Sequence, residues 1–311
     1  MSRSDLVSLS VQLSWAQGAA LAQRAAIAGA RAMFNEIASG RCVTAERKDD
    51  FTFVLNLDLL SDKAIRDCIT DKHKIVSEEE PTSHALLGSL DPYFLVDPLD
   101  GTNNCRRALS FFGPQLNPMQ ESFGPLVGYV EDGVICAASF VSLTESLVWS
   151  AIRGHGCTVT ALTDAPGEPL DTASRTVMMA VAAPRLRECG VVFYPGKRGE
   201  LELLLSLRSN ELVDGCYRYG GFAGDCTRLV RAREQILIQF SIKPWDLVAG
   251  LLAMEAGCVA IAYSPDAILT NKEANNVRAK LVNKLQAYPL ERIVFANNGC
   301  AQELMTVINS L

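Results

Sequence analysis

The sequence predicts an α+β half followed by an α/β half, on three observations. Residues 4–39 are rich in Ala, Leu, Gln and Arg and end at Gly40, which reads as one long helix with a glycine stop. Residues 126–152 hold three strand-like runs, the first two joined by the hairpin dipeptide Asp132-Gly133. In the C-terminal half, apolar strand-like runs alternate with helical ones, the pattern of an α/β layer.

The elements follow in order. Residues 42–55 alternate well enough for a hairpin, with Lys48-Asp49-Asp50 at its turn. A second helix covers 57–70, with Asp58 near its start. Lys74-Ile75-Val76-Ser77 is a short strand running into Glu78-Glu79-Glu80, which Pro81 ends. Tyr93-Phe94-Leu95-Val96 is a buried strand. Pro98 fixes its own φ and holds Asp97 extended, so this strand is expected to stop at Asp97. Gly101-Thr102-Asn103-Asn104 can open a helix. Residues 110–124, rich in Pro, Gly and Asn, form a loop long enough for a lid or an interface. Strands are expected at 126–131, 134–141 and 146–152. The polar, turn-rich 161–174 marks the boundary between an N-terminal unit, 1–170, and a C-terminal unit, 171–311, together one catalytic unit. In the second unit, strands are expected at 177–182, 211–216, 235–242, 259–262 and 292–295. Its helices are expected at 198–209, 223–232, 245–256 and 301–308.

Composition narrows the function. A chain of 311 residues, 49% hydrophobic and 21% charged, has the make-up of a globular enzyme. Its formal charge of −6 argues against nucleic acid or an anionic membrane as the main partner. The ten cysteines include no C-x-x-C and sit in apolar settings such as Val134-Ile135-Cys136-Ala137-Ala138. Buried free thiols in a reducing cytosol are the expectation, hence a cytoplasmic protein. No basic N-terminal region precedes an apolar stretch, so no signal peptide is expected. The longest apolar run, 247–263, is interrupted by Glu255 and is short for a membrane span. His73, His84 and His155 lie far apart, against a histidine-built metal site or a Ser-His-Asp triad.

Three acidic clusters stand at element ends: Glu78-Glu79-Glu80, Asp97 with Asp100, and Asp246 in Lys243-Pro244-Trp245-Asp246. Each alone has an ordinary reading, as a solvated face, a turn or a helix cap. Asp97 and Asp100, three residues apart around a proline, can aim their oxygens at one point. The amides that open the following helix suit an anion, which those carboxylates would repel. A hard divalent cation between them removes the conflict. The D-x-D-G-T motif of the haloacid-dehalogenase phosphatases differs, since here two residues separate the carboxylates instead of one.

The ordered set Asp58, Glu78-Glu79, Asp97-Pro98-Leu99-Asp100-Gly101-Thr102, Trp245-Asp246 and Glu255-Ala256-Gly257 resembles the inositol monophosphatase family. That family lies in the lithium-sensitive, magnesium-dependent phosphatase superfamily, with fructose-1,6-bisphosphatases and 3′-nucleotidases. The likeness spans about 5–257 and returns at Ile293-Val294-Phe295-Ala296-Asn297. It implies a layered αβαβα sandwich, a homodimer, and hydrolysis of a small phosphorylated polyol or sugar by a metal-activated water. It implies two or three Mg²⁺, with Mn²⁺ as a substitute. Glu79, Asp97 and the Leu99 carbonyl would hold one ion, and Asp97, Asp100 and Asp246 a second. Glu79 with Thr102 would orient or deprotonate the water, with Asp58 near the first metal. Amides of Gly101 and Thr102 would hold the phosphate, and Asp100, Ala223 and Gln239 would face the rest of the substrate.

Some positions depart from the family pattern. Phe222 replaces a small Ser or Thr, Gln239 replaces a glutamate of inositol-specific members, and Gly257-Cys258 replaces a Gly-Gly. Residues 272–286 form a polar, helix-like segment in place of a short hairpin. The absence of Gly-Asn-Lys near Gly221 weighs against a 3′-nucleotidase. A 3′(2′),5′-bisphosphate nucleotidase, a sugar bisphosphatase, and a metal- or phosphate-binding protein without turnover are the alternatives.

Overall fold

A computed structural model describes residues 13–40, 43–47, 53–70, 72–112, 121–162, 175–176, 185–194, 198–263 and 290–310. Its first helix, α1 (Trp15–Ala38), opens on a capping box: Gln17 N–H donates to Ser14 Oγ and Ser14 N–H donates to Gln17 Oε1. A small hairpin, β1 (Ala45–Arg47) and β2 (Phe53–Leu55), leads into α2 (Asn56–Ile69). Both helices lie on one face of a seven-stranded sheet.

That sheet runs in chain order: β3 (Lys74–Ser77), β4 (Tyr93–Asp100), β5 (Gly124–Glu131), β6 (Val134–Ser142), β7 (Leu147–Ile152), β8 (Gly156–Ala161) and β9 (Arg175–Thr176). Only β3 and β4 pair in parallel. Helix α3 (Thr102–Phe112) leaves the end of β4. The second sheet comprises β10 (Gly190–Tyr194), β11 (Gly215–Tyr217), β12 (Ile236–Ile242), β13 (Val259–Tyr263) and β14 (Leu290–Ala296), in the order β11-β10-β12-β14-β13. Helices α4 (Arg198–Ser209), α5 (Phe222–Val230), α6 (Leu247–Glu255) and α7 (Asn298–Ser310) accompany it.

Three apolar cores show how these stack. Phe94, Val96, Val127 and Tyr129 face α1 and α2, whereas their neighbours Tyr93, Leu95, Leu126 and Val130 face α5 and α6. The period-two alternation therefore buries both faces of the first sheet, which is why its strands read as unbroken apolar runs. In the second sheet, Leu237 and Phe295 face α5 and α6, while Ile236, Ile238, Val294 and Ala296 face α4 and α7. The layers are α, β, α, β, α, the sandwich expected from the sequence.

Helix α6 is pressed between the two sheets, and its glycine follows from that. A Cβ at Gly250 would lie 2.5 Å from Phe295 Cζ, and on the opposite sheet a Cβ at Gly128 would lie 2.7 Å from Val248 Cγ2. Gly250→Val is expected to destabilise the fold by about 1–3 kcal/mol through overpacking, measured by urea unfolding. An unchanged midpoint would mean that the sheets can separate to admit it.

Several elements differ from the sequence expectation. Strand β4 does not stop at Asp97; it continues through Pro98 to Asp100, with a register shift opposite Leu126 and Gly124. A bulge absorbs the proline, which lacks a ladder donor, and carries both carboxylates into the interior. The strands β8 and β10 were not foreseen; β8 is half polar, and Val191-Val192-Phe193 is very short. The strand expected at 211–216 lies at Gly215–Tyr217, because Glu211 adopts φ +53° as α4 ends. Helix α7 begins before 301, after Asn297, whose Oδ1 accepts the Gly299 amide. The turn at 48–50, most of the 110–124 loop, nearly all of 161–174, the strand at 177–182 and the segment 272–286 lie outside the described residues. Of the cysteines, nine are described, all as free thiols and seven of them buried. Among the described residues no helix is long and apolar enough to cross a membrane.

Candidate active site

The bulge at the end of β4 and the start of α6 bring three carboxylates together. Oxygens of Asp97, Asp100 and Asp246 all lie within 4.8 Å of one another. Asp97 and Asp100 are only 3% and 5% exposed, a placement that repulsion and desolvation oppose unless a cation joins them. Asp246 stands at the N-terminal position of α6 yet makes no side-chain cap bond. It accepts instead from the Lys243 amide at 3.3 Å. The ordinary reading of this aspartate as a helix cap therefore fails on geometry.

Each carboxylate has a distinct support. Asp97 Oδ1 accepts the Leu99 amide at 3.0 Å across Pro98. Asp100 sits against the start of α5, where the amides of Phe222 and Ala223 donate to its two oxygens at 3.0 Å each. That contact needs Gly221, since a Cβ there would lie 2.9 Å from Asp100 Oδ2. Ala223 thus meets Asp100 through its backbone. Phe222, bulkier than the residue it replaces, turns into the core between the sheets.

Burial comes first in setting the electrostatics. It holds the Asp97 carboxyl well above the usual range, helped by the charges of Glu78, Asp100, Asp246 and Asp58. Asp100 is pushed up to about 7 by burial, against the opposing pull of the α5 amides. Asp246 is likewise held high, by burial and then by Asp100 and Glu78. Lys243 pulls Asp246 the other way and donates from Nζ to Glu78 Oε1 at 3.0 Å. A group of buried oxygen donors with excess negative charge fits a hard divalent ion, so the residues present suit Mg²⁺.

Around this group, Asp58 Oδ2 accepts the Leu55 amide at 2.8 Å, and its Oδ1 lies 3.2 Å from Thr102 Oγ1. The Thr102 hydroxyl also lies 2.9 Å from the Leu99 carbonyl. The first α3 amides drawn back into the helix are those of Asn104 and Cys105, both to Gly101 O. The amides of Thr102 and Asn103 precede them at the helix's positive end. Gly101, at φ +80°, makes the turn from strand to helix. Gln239 lies on β12, 5% exposed, with its Oε1 lacking a donor among the described residues.

Glu79 joins no such carboxylate group among the described residues. Its neighbour Glu78 instead acts on Asp97, Asp100 and Asp246, and is bound by Lys243. Sequence reasoning gave Lys243 no role and took Glu79 over Glu78 from the family resemblance alone, because adjacent residues on a turn can point either way. The turn is braced by His84, whose Nε2 lies 2.8 Å from Ser77 O and whose ring packs 5.0 Å from that of Trp245. At the far end of α6, Glu255 accepts the Gly156 amide at 3.1 Å, a fixed tie to β8.

A family model described as the inositol monophosphatase family matches residues 8–305. The chain belongs to the inositol monophosphatase family. Among curated relatives, Nus factor SuhB of Pasteurella multocida is 27% identical over 248 residues, 75% of this chain and 81% of that protein. A fructose-1,6-bisphosphatase/inositol-1-monophosphatase of Aquifex aeolicus is 25% identical over 248 residues, 77% and 83% of the two chains. The crystal structure of the suppressor protein SuhB from Bartonella henselae shares the fold, with a TM-score of 0.65 at 21% identity over 93% of this chain and 96% of that one. Family membership makes the protein a metal-dependent phosphoric monoester hydrolase, and the fold agrees with that of its relatives.

Proposed function

We propose that the protein hydrolyses the phosphate monoester of a small polyol or sugar, with Mg²⁺ held by Asp97, Asp100, Asp246, Glu79 and the Leu99 carbonyl. The convergence of three carboxylates, Asp97 and Asp100 buried and Asp246 half-buried at a helix start without capping it, carries this reading. When bound, such ions polarise the phosphoryl group and make water acidic enough to attack. The chain's own groups do the rest. The amides of Gly101 and Thr102 bind phosphate oxygens at the start of α3. The Thr102 hydroxyl, placed by Asp58 and the Leu99 carbonyl, orients the attacking water together with Glu79. Gln239, Asp100 and Ala223 face the sugar hydroxyls; an uncharged amide at 239 fits a range of polyols. Residues 1–170 and 171–311 act as one catalytic unit, the first supplying Asp97 and Asp100 and the second Asp246.

A panel of sugar, inositol and nucleotide monophosphates, assayed for phosphate release with and without Mg²⁺, tests the reading. Release that requires Mg²⁺ is expected, strongest with sugar or polyol esters; silence across the panel overturns it. The two glutamates provide a finer test. Glu79→Gln is expected to lower kcat by about 10²-fold or more, as loss of a group that positions or deprotonates water does. Glu78→Gln is expected to act mainly on stability, because it removes the Lys243 contact. Kinetics showing the opposite ranking would move the water-orienting role to Glu78.

A further inference from the structure

Lys243 stands where two acid-bearing turns meet. It follows Ile242, the last residue of β12, and precedes Pro244, whose fixed φ sets the path into Trp245 and Asp246. Glu78 follows Ser77, the last residue of β3, and its amide donates to the Val96 carbonyl at 3.0 Å, one residue before Asp97. Lys243 Nζ meets Glu78 Oε1 at 3.0 Å, while the Lys243 amide donates to Asp246 Oδ2 at 3.3 Å. The ion pair thus joins backbone anchored beside Asp97 to backbone anchored at Asp246. Its side chains are 30% and 16% exposed, so solvent screens it less than a surface pair, and the ammonium lies 5.6 Å from the centre of the Trp245 ring. His84 packs on the same ring and meets the Ser77 carbonyl through Nε2. The Glu78 turn therefore keeps a tie to the Trp245 segment that does not pass through Lys243.

What Lys243 adds is a positive charge. The charges of Glu78, Asp100 and Asp246 act together on Asp97, and those of Asp100 and Glu78 act on Asp246, where Lys243 opposes them. A fixed ammonium at this place has two opposite effects. Without metal it offsets repulsion among the carboxylates and favours the folded site. Toward Mg²⁺ it is repulsive, because two cations drawn to the same carboxylates in a poorly screened setting repel over several ångströms.

We propose that Lys243 is a positioning residue that acts as the resident cation of the acidic group, steadying Glu78 and Asp246 when no metal is bound and limiting the affinity for Mg²⁺. It acts through those two carboxylates and touches no reacting atom. The inference rests on the metal-binding part of the reading above and not on turnover. A structural clamp and a resident cation differ in sign. If Lys243 only held the two turns together, its removal would loosen the carboxylates and weaken Mg²⁺ binding. Removal of a resident cation strengthens it.

Calorimetric titration of the metal-free full chain with Mg²⁺ tests the sign. Lys243→Met is expected to bind Mg²⁺ about five-fold or more tightly than the unmodified protein, and Lys243→Arg, which keeps the charge, to stay within about two-fold of it. In EDTA the melting temperature is expected to fall for Lys243→Met and to hold for Lys243→Arg. Should Lys243→Met fail to fold without metal, Lys243→Gln, which keeps a donor for Glu78 but loses the charge, replaces it with the same expectation. Mg²⁺ binding that is unchanged or weaker in the neutral variant, or a gain that Lys243→Arg shares, overturns the role of Lys243. Tighter binding by the neutral variant in a protein that hydrolyses no phosphate ester leaves that role standing while the phosphatase reading falls. An unmodified protein that binds no Mg²⁺ overturns both.

Discussion

Asp97→Asn is expected to abolish magnesium-dependent phosphate release while leaving the metal-free protein at least as stable as before. Asp97 is 3% exposed and faces Asp100 and Asp246 across a gap that only a cation can make favourable. Converting it to an amide removes one charge that the bound ions need. A loss of several kcal/mol of transition-state stabilisation corresponds to about a 10³-fold fall in kcat. The same change relieves a buried, repelled carboxylate in the absence of metal, so the melting temperature in EDTA should hold or rise. The gain in melting temperature on adding Mg²⁺ should shrink. An activity within ten-fold of the original, or a protein that no longer folds in EDTA, would contradict the role assigned to Asp97.

The second large effect is a pH dependence of the metal-free protein. Asp100 is pushed up to about 7 by burial, and Asp97 and Asp246 are shifted in the same direction. In the unfolded chain each would titrate near 4. A carboxyl whose folded pKa is raised binds more protons in the folded state than in the unfolded one. Its contribution to stability is therefore fully present below about pH 4 and is lost as pH rises through the folded pKa near 7. For Asp100 alone the loss is on the order of a few kcal/mol, since about three pH units separate the two values. In EDTA the urea midpoint should thus fall between about pH 4 and 7, and Mg²⁺ should restore it most at the higher pH. A flat profile in EDTA would show that these carboxyls are not buried together as described.

The acidic motifs were legible because each needs a particular neighbour in the chain. Pro98 next to Asp97, Gly101 after Asp100 and Trp245 before Asp246 fix local backbone paths, and such paths can be read residue by residue. Helices α4, α5 and α6 were found within a few residues for the same reason, since their apolar faces repeat over several turns. Strands β8 and β10 escaped because β8 alternates with polar residues and β10 offers only a few apolar ones. The bulge that carries β4 past Pro98 also escaped. A proline in isolation ends a strand, and only the partner strand β5 shows that the ladder resumes.

Within the site, the sequence could name Glu78 and Glu79 but not their directions. Their placement depends on Lys243, 165 residues further along the chain from Glu78.

By itself the sequence determined the family, the layered class and the three acidic groups that a metal would need. Those depend on short-range chemistry: where a strand turns, where a helix starts, which carboxylates stand at such points. The tertiary structure alone decided that Asp97, Asp100 and Asp246 share one space and that Glu78 leans on Lys243. These depend on which distant segments the packing of α6 between two sheets brings within a few ångströms, a distance no spacing along the chain encodes.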